Sequence, residues 1–185
     1  MRQSTRNYSR ITNNPAAMMT MLLLSLLVAV LYVGIATIKA RELPASVSAL
    51  VYNLPKGGWR WLWTIWLWTV TMLLTPSLIE SMPDGLQVVA FLTLMCLLFV
   101  GAMPLGMDAS NNTHYILGIA GGVLSQVCVL LLNPWWLLVW SGWLCLFGTL
   151  CLLPDSRFAK AMYGKGVFCL EVFCVISIYG ALLTL

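Results

Sequence analysis

The chain has 185 residues, of which 61% are hydrophobic and 9% are charged, with ten Lys and Arg against six Asp and Glu. A soluble domain carries about 25% charged residues, so this composition excludes a water-soluble fold. It predicts an all-α fold, a polytopic transmembrane helical bundle. No basic run is dense enough to predict nucleic-acid binding.

Six windows have the length and composition of membrane-spanning helices, which need about 20 apolar residues to cross about 30 Å of hydrocarbon. They are continuous apolar runs without the alternation that is typical of barrel strands. We therefore predict a basic tail over 1–15 and a single six-helix domain over 16–185. The predicted spans are Ala16–Ile38, Trp59–Ile79, Leu86–Met107, Tyr115–Leu132, Trp135–Leu153 and Val167–Leu185.

The first span follows a basic flank containing Arg2, Arg6 and Arg10, as a signal peptide would. Its apolar part exceeds 20 residues, however, whereas a signal-peptide core has about 7–15. We therefore expect this helix to be retained.

Between the first two spans lies Ala45–Leu54, an apolar segment about half as long as a span. Pro44 and Pro55 flank it and would stop helix propagation on either side. This length predicts a short interfacial or re-entrant segment rather than a seventh crossing.

The distribution of basic residues predicts the orientation in a bacterial inner membrane. Seven of the ten lie in or beside the odd-numbered links between spans: Lys39, Arg41, Lys56, Arg60, Arg157, Lys160 and Lys165. The positive-inside rule then favours cytoplasmic odd links and external termini. The three arginines of the N-terminal tail favour the opposite orientation.

The nine tryptophans form two groups, one at the start of the second span and one at the start of the fifth. Because indole rings favour the headgroup region, we expect interface anchors at Trp59, Trp61, Trp63, Trp135 and Trp136. An aromatic groove for a lipid or substrate is the alternative interpretation, since Trp136, Trp140 and Trp143 share a helix face.

Cysteine and glycine patterns carry less functional information. The six cysteines all lie within predicted spans, without a CxxC pair or a partner at metal-ligand spacing, so we predict no metal and no cofactor. Gly118 and Gly122 form a GxxxG pair in the fourth span, which predicts close helix packing. That packing is either internal to the bundle or the interface of a homo-oligomer.

Polar residues concentrate in the odd-numbered links, which topology places at one face of the membrane. Glu171 lies within the last span, where an acidic residue usually contacts a partner or lines a functional site; Lys165 and Arg157 are candidate ion-pair partners. The midspan Gln126 predicts an interhelical hydrogen bond. The predicted ligand-binding or polar cluster comprises Glu42, Asn53, Asp155, Arg157 and Glu171.

A catalytic alternative uses His114, the single histidine of the chain. It could act as a general base on Ser46 or Ser48, with Asp108 orienting it. No nucleophile-elbow sequence accompanies either serine, and a capping role for His114 at its helix start explains the pattern equally well.

Two segments carry a family resemblance. Leu43–Ala49 contains a proline followed by an apolar–Ser pair, and Val100–Pro104 leads through Asp108 to His114. They resemble a family of small prokaryotic six-helix membrane proteins whose layout is similar to that of the DRAM-type membrane proteins. The resemblance implies a six-helix bundle, with Ser48, Asp108 and His114 as matching polar positions, and implies no particular activity.

These patterns favour a non-enzymatic multipass protein that binds a lipid, a small ligand or a partner at the face formed by links one, three and five. A lipid-directed hydrolase or transferase that uses His114 is the first alternative. A small transporter is the second, since Glu171 and Gln126 are polar residues within spans.

Overall fold

A computed structural model describes residues 14–41, 43–53, 58–106, 112–152 and 164–185, of which 52, 53, 58–60, 105, 106 and 150–152 are described by their backbone alone. Within these ranges every regular element is a helix, which confirms the all-α class. The helices are α1 (Pro15–Ala40), α2 (Ala49–Asn53), α3 (Gly58–Ser81), α4 (Gln87–Gly106), α5 (Asn112–Leu132), α6 (Trp136–Leu152) and α7 (Gly166–Leu183).

Five of these helices are long and apolar enough to cross a membrane, namely α1, α3, α4, α5 and α7. They confirm that this is a membrane-embedded helical protein. The remaining long helix, α6, has 17 residues, which is the lower limit of spanning length.

Local sequence sets the ends of α1 and the turn after α3. The Asn14 side chain accepts hydrogen bonds from the backbone N–H groups of Ala16 and Ala17, and Pro15 follows it at the first helical position. Arg41 ends α1 in the left-handed conformation, at φ 58°. Gly85 has φ 81° in the α3–α4 turn, a conformation that glycine adopts without a steric penalty.

Long-range contacts define the two ends of the bundle. At one end the Lys165 ammonium, at the start of α7, donates to the Leu43 carbonyl just after α1; we call this the link-one end. At the other end Asn133, between α5 and α6, donates its side-chain amide to Thr184 Oγ1 at 3.2 Å; we call this the link-four end. Helices α5 and α7 are therefore parallel, while α1 is antiparallel to both.

The main core lies between α1, α3, α4, α5 and α7. Its buried members include Leu22, Leu74, Leu78, Ala90, Leu94, Cys128, Val129, Ala181 and Leu182. A second core at the link-one end places Val51 of α2 against Trp63 of α3 and Val100 of α4.

Helix α7 is joined to its neighbours by polar contacts along its length. Tyr179 shares a 2.5 Å hydrogen bond with Ser25 of α1, and Ser177 Oγ donates to Gln126 Oε1 of α5 at 2.9 Å. In lipid, where apolar surface gives helices no reason to associate, such contacts specify which faces meet.

Helix α6 lies at the periphery and packs through long aromatic side chains. The Trp136 ring lies against Gly180 near the end of α7, whereas Trp140 and Trp143 contact Phe173, with ring centroids 4.4 and 4.8 Å apart. Because its start contacts the end of α7, α6 runs antiparallel to that helix.

Candidate functional site

The first link folds back onto the start of α7. We call residues 43–53 the strap. Three strap residues, spaced two apart in sequence, contact three residues at the start of α7 that are spaced three apart. Lys165 Nζ donates to the Leu43 carbonyl, the Phe168 N–H donates to the Ala45 carbonyl at 3.0 Å, and Val47 N–H donates to Glu171 Oε2 at 2.5 Å. These hydrogen bonds hold the strap against the start of α7.

The apolar half of the strap explains why it is held inside the bundle. Leu50 is 0% exposed and Val51 is 2% exposed. They pack against Ala36 and Tyr32 of α1 and against Trp63 of α3. Burying such side chains removes apolar surface from water, while the contacts with α7 satisfy part of the backbone.

Glu171 is partly buried, and its partner among the described residues is a backbone group. Of its two candidate ion-pair partners, Lys165 donates its ammonium to Leu43, and Arg157 lies outside the described residues. The carboxylate accepts from Val47 N–H. A hydrogen bond to a charged acceptor is stronger than a neutral one, and here it offsets part of the cost of placing an acid in a span.

The two candidate nucleophiles, Ser46 and Ser48, have structural contacts. Their hydroxyls share a 3.1 Å hydrogen bond, and Ser46 Oγ accepts from Ala49 N–H at 3.0 Å, which caps the turn leading into α2. In the described part of the chain neither hydroxyl bonds to His114. These contacts favour a role in shaping the strap.

His114 lies in the first turn of α5, at the link-one end, and is 6% exposed. Its ring meets the neighbouring Tyr115 ring edge-on, at 6.1 Å between centroids. The histidine thus shares an end of the bundle with the strap, as the topology predicted. Its proposed orienting residue, Asp108, lies outside the described residues.

Three other predicted site residues are not described in full. Glu42 and Asp155 lie outside the described residues, and Asn53 ends α2 with its side chain undescribed. Among the described residues there is no group of three or more His, Cys, Asp or Glu that could hold a metal ion.

The tryptophan groups lie at opposite ends of the bundle, and their members differ in exposure. Trp61 is 61% exposed and Trp135 is 74% exposed, as an interface anchor requires. Trp63 is 2% exposed, and Trp136 packs against α7. The side chain of Trp59 is outside the described part. Anchoring by all five remains a prediction.

Trp63 belongs to an aromatic cluster beneath the strap. The Tyr32 ring stacks on Trp66 at 4.5 Å and meets Trp63 edge-on at 6.1 Å. Trp66 Nε1 also donates to the Val28 carbonyl of α1 at 3.0 Å. The cluster therefore joins α1 to α3 directly under Val47 and Val51.

An apolar groove of about 280 Å³ lies between α6 and α7. It is lined by Trp143, Phe147, Phe168, Cys169, Val172, Phe173 and Ile176. Phe168 also holds the strap through its N–H, so one end of the groove adjoins the strap. The sequence indicated the aromatic face of α6, but it did not indicate that Phe168 and Phe173 of α7 form the opposite wall.

A polar network lies deeper in the bundle, beyond the groove. Gln126 Oε1 accepts from Trp140 Nε1 of α6 at 2.7 Å and from Ser177 Oγ of α7 at 2.9 Å. Gln126 Nε2 donates to Ser125 Oγ at 3.0 Å. The predicted interhelical hydrogen bond of Gln126 is confirmed, and it links α5, α6 and α7.

The close approach of α5 to α4 occurs at Gly121. A Cβ atom at Gly121 would lie 3.1 Å from Cys96 Cβ, whereas a Cβ atom at Gly118 or Gly122 would have nothing within 4 Å. In the described part of the chain the GxxxG pair therefore faces away from the bundle, which leaves homo-oligomer packing through this pair as a prediction.

No family model, curated protein or solved structure matches this chain. The resemblance to small six-helix prokaryotic membrane proteins therefore stays a prediction.

Proposed function

We propose that this chain is a six-span multipass protein of the bacterial inner membrane that binds a membrane lipid without catalysing a reaction. We place both termini outside and links one, three and five at the cytoplasmic face. Support for the sixth span is the course of α6, which contacts α7 at Gly180 and Phe173 and so runs alongside a helix of spanning length.

The observation that carries the lipid-binding proposal is the groove between α6 and α7. Ligand pockets are mostly apolar and aromatic, with few polar groups, and this groove is lined by four aromatic residues, two aliphatic residues and one cysteine. Its walls belong to two membrane helices. Lipid tails therefore reach it laterally, without crossing water.

The neighbouring strap supports the proposal because it holds one edge of the groove in a fixed position. Its contacts with Lys165, Phe168 and Glu171 fix the first two turns of α7, and Phe168 itself lines the groove. A lipid-binding site needs such a fixed wall, since binding loses affinity when the protein must be ordered first.

The non-enzymatic part of the proposal is supported by the serine contacts. Ser46 and Ser48 bond to each other and to the Ala49 N–H. A nucleophile requires a base within hydrogen-bond reach, and these hydroxyls are instead committed to the turn before α2.

The test is lipid retention by the full chain, purified in a mild detergent and studied by native mass spectrometry after added phospholipid. We expect retention to saturate at about one lipid per chain, because specific pockets are few per protein. A chain that leaves detergent with no retained lipid at any phospholipid concentration would contradict the proposal.

A further inference from the structure

The groove has the depth of a single leaflet. It extends along α7 from Phe168 to Ile176, which is about 12 Å at 1.5 Å per residue. Half of the hydrocarbon core is about 15 Å. Because Phe168 adjoins the strap at the link-one end, the groove runs from that end towards the middle of the bundle.

The same face of α7 carries a cation at the headgroup end. Cys169, Val172 and Ile176 lie on one helix face, and Lys165, which caps the start of α7, precedes Cys169 by four residues. Among the described residues the Lys165 ammonium donates to the Leu43 carbonyl, and an ammonium has three donors. Lys165 therefore lies one helical turn before Cys169, at the link-one end of the groove.

Glu171 is bonded to the strap, where its carboxylate accepts from Val47 N–H. Like Lys165, it is not among the residues that line the groove. The chain as a whole carries a net charge of +4, which favours anionic headgroups at a membrane surface.

We infer that the groove holds one acyl chain of an anionic glycerophospholipid from the link-one leaflet, with the lipid phosphate at Lys165. This inference rests on the proposed lipid-binding function and adds its ligand class, leaflet and orientation. The apolar walls hold the chain through dispersion and burial, and Lys165 selects the headgroup charge.

The first test places a tryptophan in the groove and compares that variant with one that has the same substitution outside the groove. Val172→Trp adds an indole to the groove lining, whereas Val175→Trp makes the same change at a 41% exposed position of α7 that is not part of the lining. Retention of palmitoyl-oleoyl phosphatidylglycerol is measured by native mass spectrometry. Circular dichroism and thermal unfolding in detergent establish that both variants fold.

We expect Val172→Trp to lower phosphatidylglycerol affinity by roughly tenfold and Val175→Trp by less than about twofold. Equal retention by both variants and the parent would overturn the groove assignment, while lipid binding elsewhere would still satisfy the proposed function. Loss of all lipid in the parent chain would instead defeat the proposed function.

The second test addresses the headgroup. Lys165→Gln is compared with Lys39→Gln, which removes a charge from the last turn of α1 at the same end. We expect the parent and Lys39→Gln to prefer phosphatidylglycerol over phosphatidylcholine with identical chains by roughly tenfold, and Lys165→Gln to lose that preference. A parent without preference, or a Lys165→Gln variant that keeps it, would overturn the assignment of an anionic headgroup at Lys165.

Discussion

At the scale of single residues, Glu171 shows how the backbone of the strap can hold an acid in an apolar helix. Its carboxylate accepts the N–H of Val47, a backbone group that has no helical partner because the strap enters α2 only at Ala49. Within the described structure the acid and the strap therefore satisfy each other's partly buried polar groups.

Replacing Glu171 by leucine should release the strap locally. The change removes the acceptor of Val47 N–H, so we expect a loss of about 1–3 kcal/mol in unfolding free energy. Glu171→Gln keeps a neutral oxygen at the same position and should cost less. Hydrogen exchange of residues 43–53 is the direct measurement, with faster exchange expected in Glu171→Leu.

The control for that experiment is the second half of α7, whose amide exchange should not change in either variant. Strap amides that exchange equally slowly in Glu171→Leu and in the parent would show that the Val47 contact is not what holds the strap.

Gly180 is a second residue whose identity is set by a neighbour. A Cβ atom there would overlap the indole of Trp136, so α6 meets α7 closely at this point only with glycine. We expect Gly180→Ala to lower stability by about 1–3 kcal/mol through overpacking, measured by thermal unfolding in detergent.

Two comparisons make the Gly180 prediction specific. Gly118→Ala meets nothing within 4 Å in the described structure and should leave stability within about 0.5 kcal/mol. Trp136→Phe has a smaller ring and should restore part of the stability of Gly180→Ala. If Gly180→Ala unfolds at the temperature of the parent, Trp136 does not pack as described.

At the scale of elements, α3 has one face in the protein and one face outside it. Trp63 and Trp66 contact Tyr32 of α1, whereas Trp61 is 61% exposed. Residues 63 and 66 lie three apart, so they share a helix face, while 61 lies well around the helix from both. The cluster joins α3 to α1 and forms the floor under the strap.

Truncation of the two tryptophans should therefore have unequal effects. Trp63→Ala removes a side chain that is 2% exposed, and we expect a loss of about 3–5 kcal/mol. Trp61→Ala should cost less than about 0.5 kcal/mol. The measurement is thermal unfolding of both variants in the same detergent, and equal losses would contradict the two-faced arrangement of α3.

The helices were predictable from the sequence because each is a continuous apolar run bounded by turn residues. The predicted span Ala16–Ile38 lies within the observed α1, Pro15–Ala40. The capping residue Asn14 and the turn at Gly85 are local signals of the same kind. Such features depend on near neighbours in the chain, so composition and periodicity suffice to find them.

The site was less predictable because its contacts join distant residues. Val47 and Glu171 are 124 positions apart, and nothing in either segment indicates that they meet. The aromatic face of α6 was visible as tryptophan spacing, but its complement at Phe173 was not. Likewise the small-residue pattern indicated Gly118 and Gly122, while the contact with Cys96 uses Gly121. Pairings between helices depend on how whole faces fit.

At the scale of the whole molecule, the number of crossings depends on α6. Its 17 residues extend about 26 Å, slightly less than the hydrocarbon core of about 30 Å. It contacts α7 at Gly180 and Phe173, which are about 10 Å apart along α7, and it lines a groove together with Phe168. The crossing of the membrane by α6 therefore stays a proposal.

The two termini test this directly, because an even number of crossings puts them on the same side whatever the orientation. We expect epitope tags at both ends to be cleaved by protease added to intact spheroplasts, since the basic residues favour cytoplasmic odd links. Protection of both tags until the membrane is permeabilised would reverse the orientation but keep six spans. Cleavage of one tag alone would mean that α6 does not cross, and the groove would then lie between a spanning helix and a peripheral one.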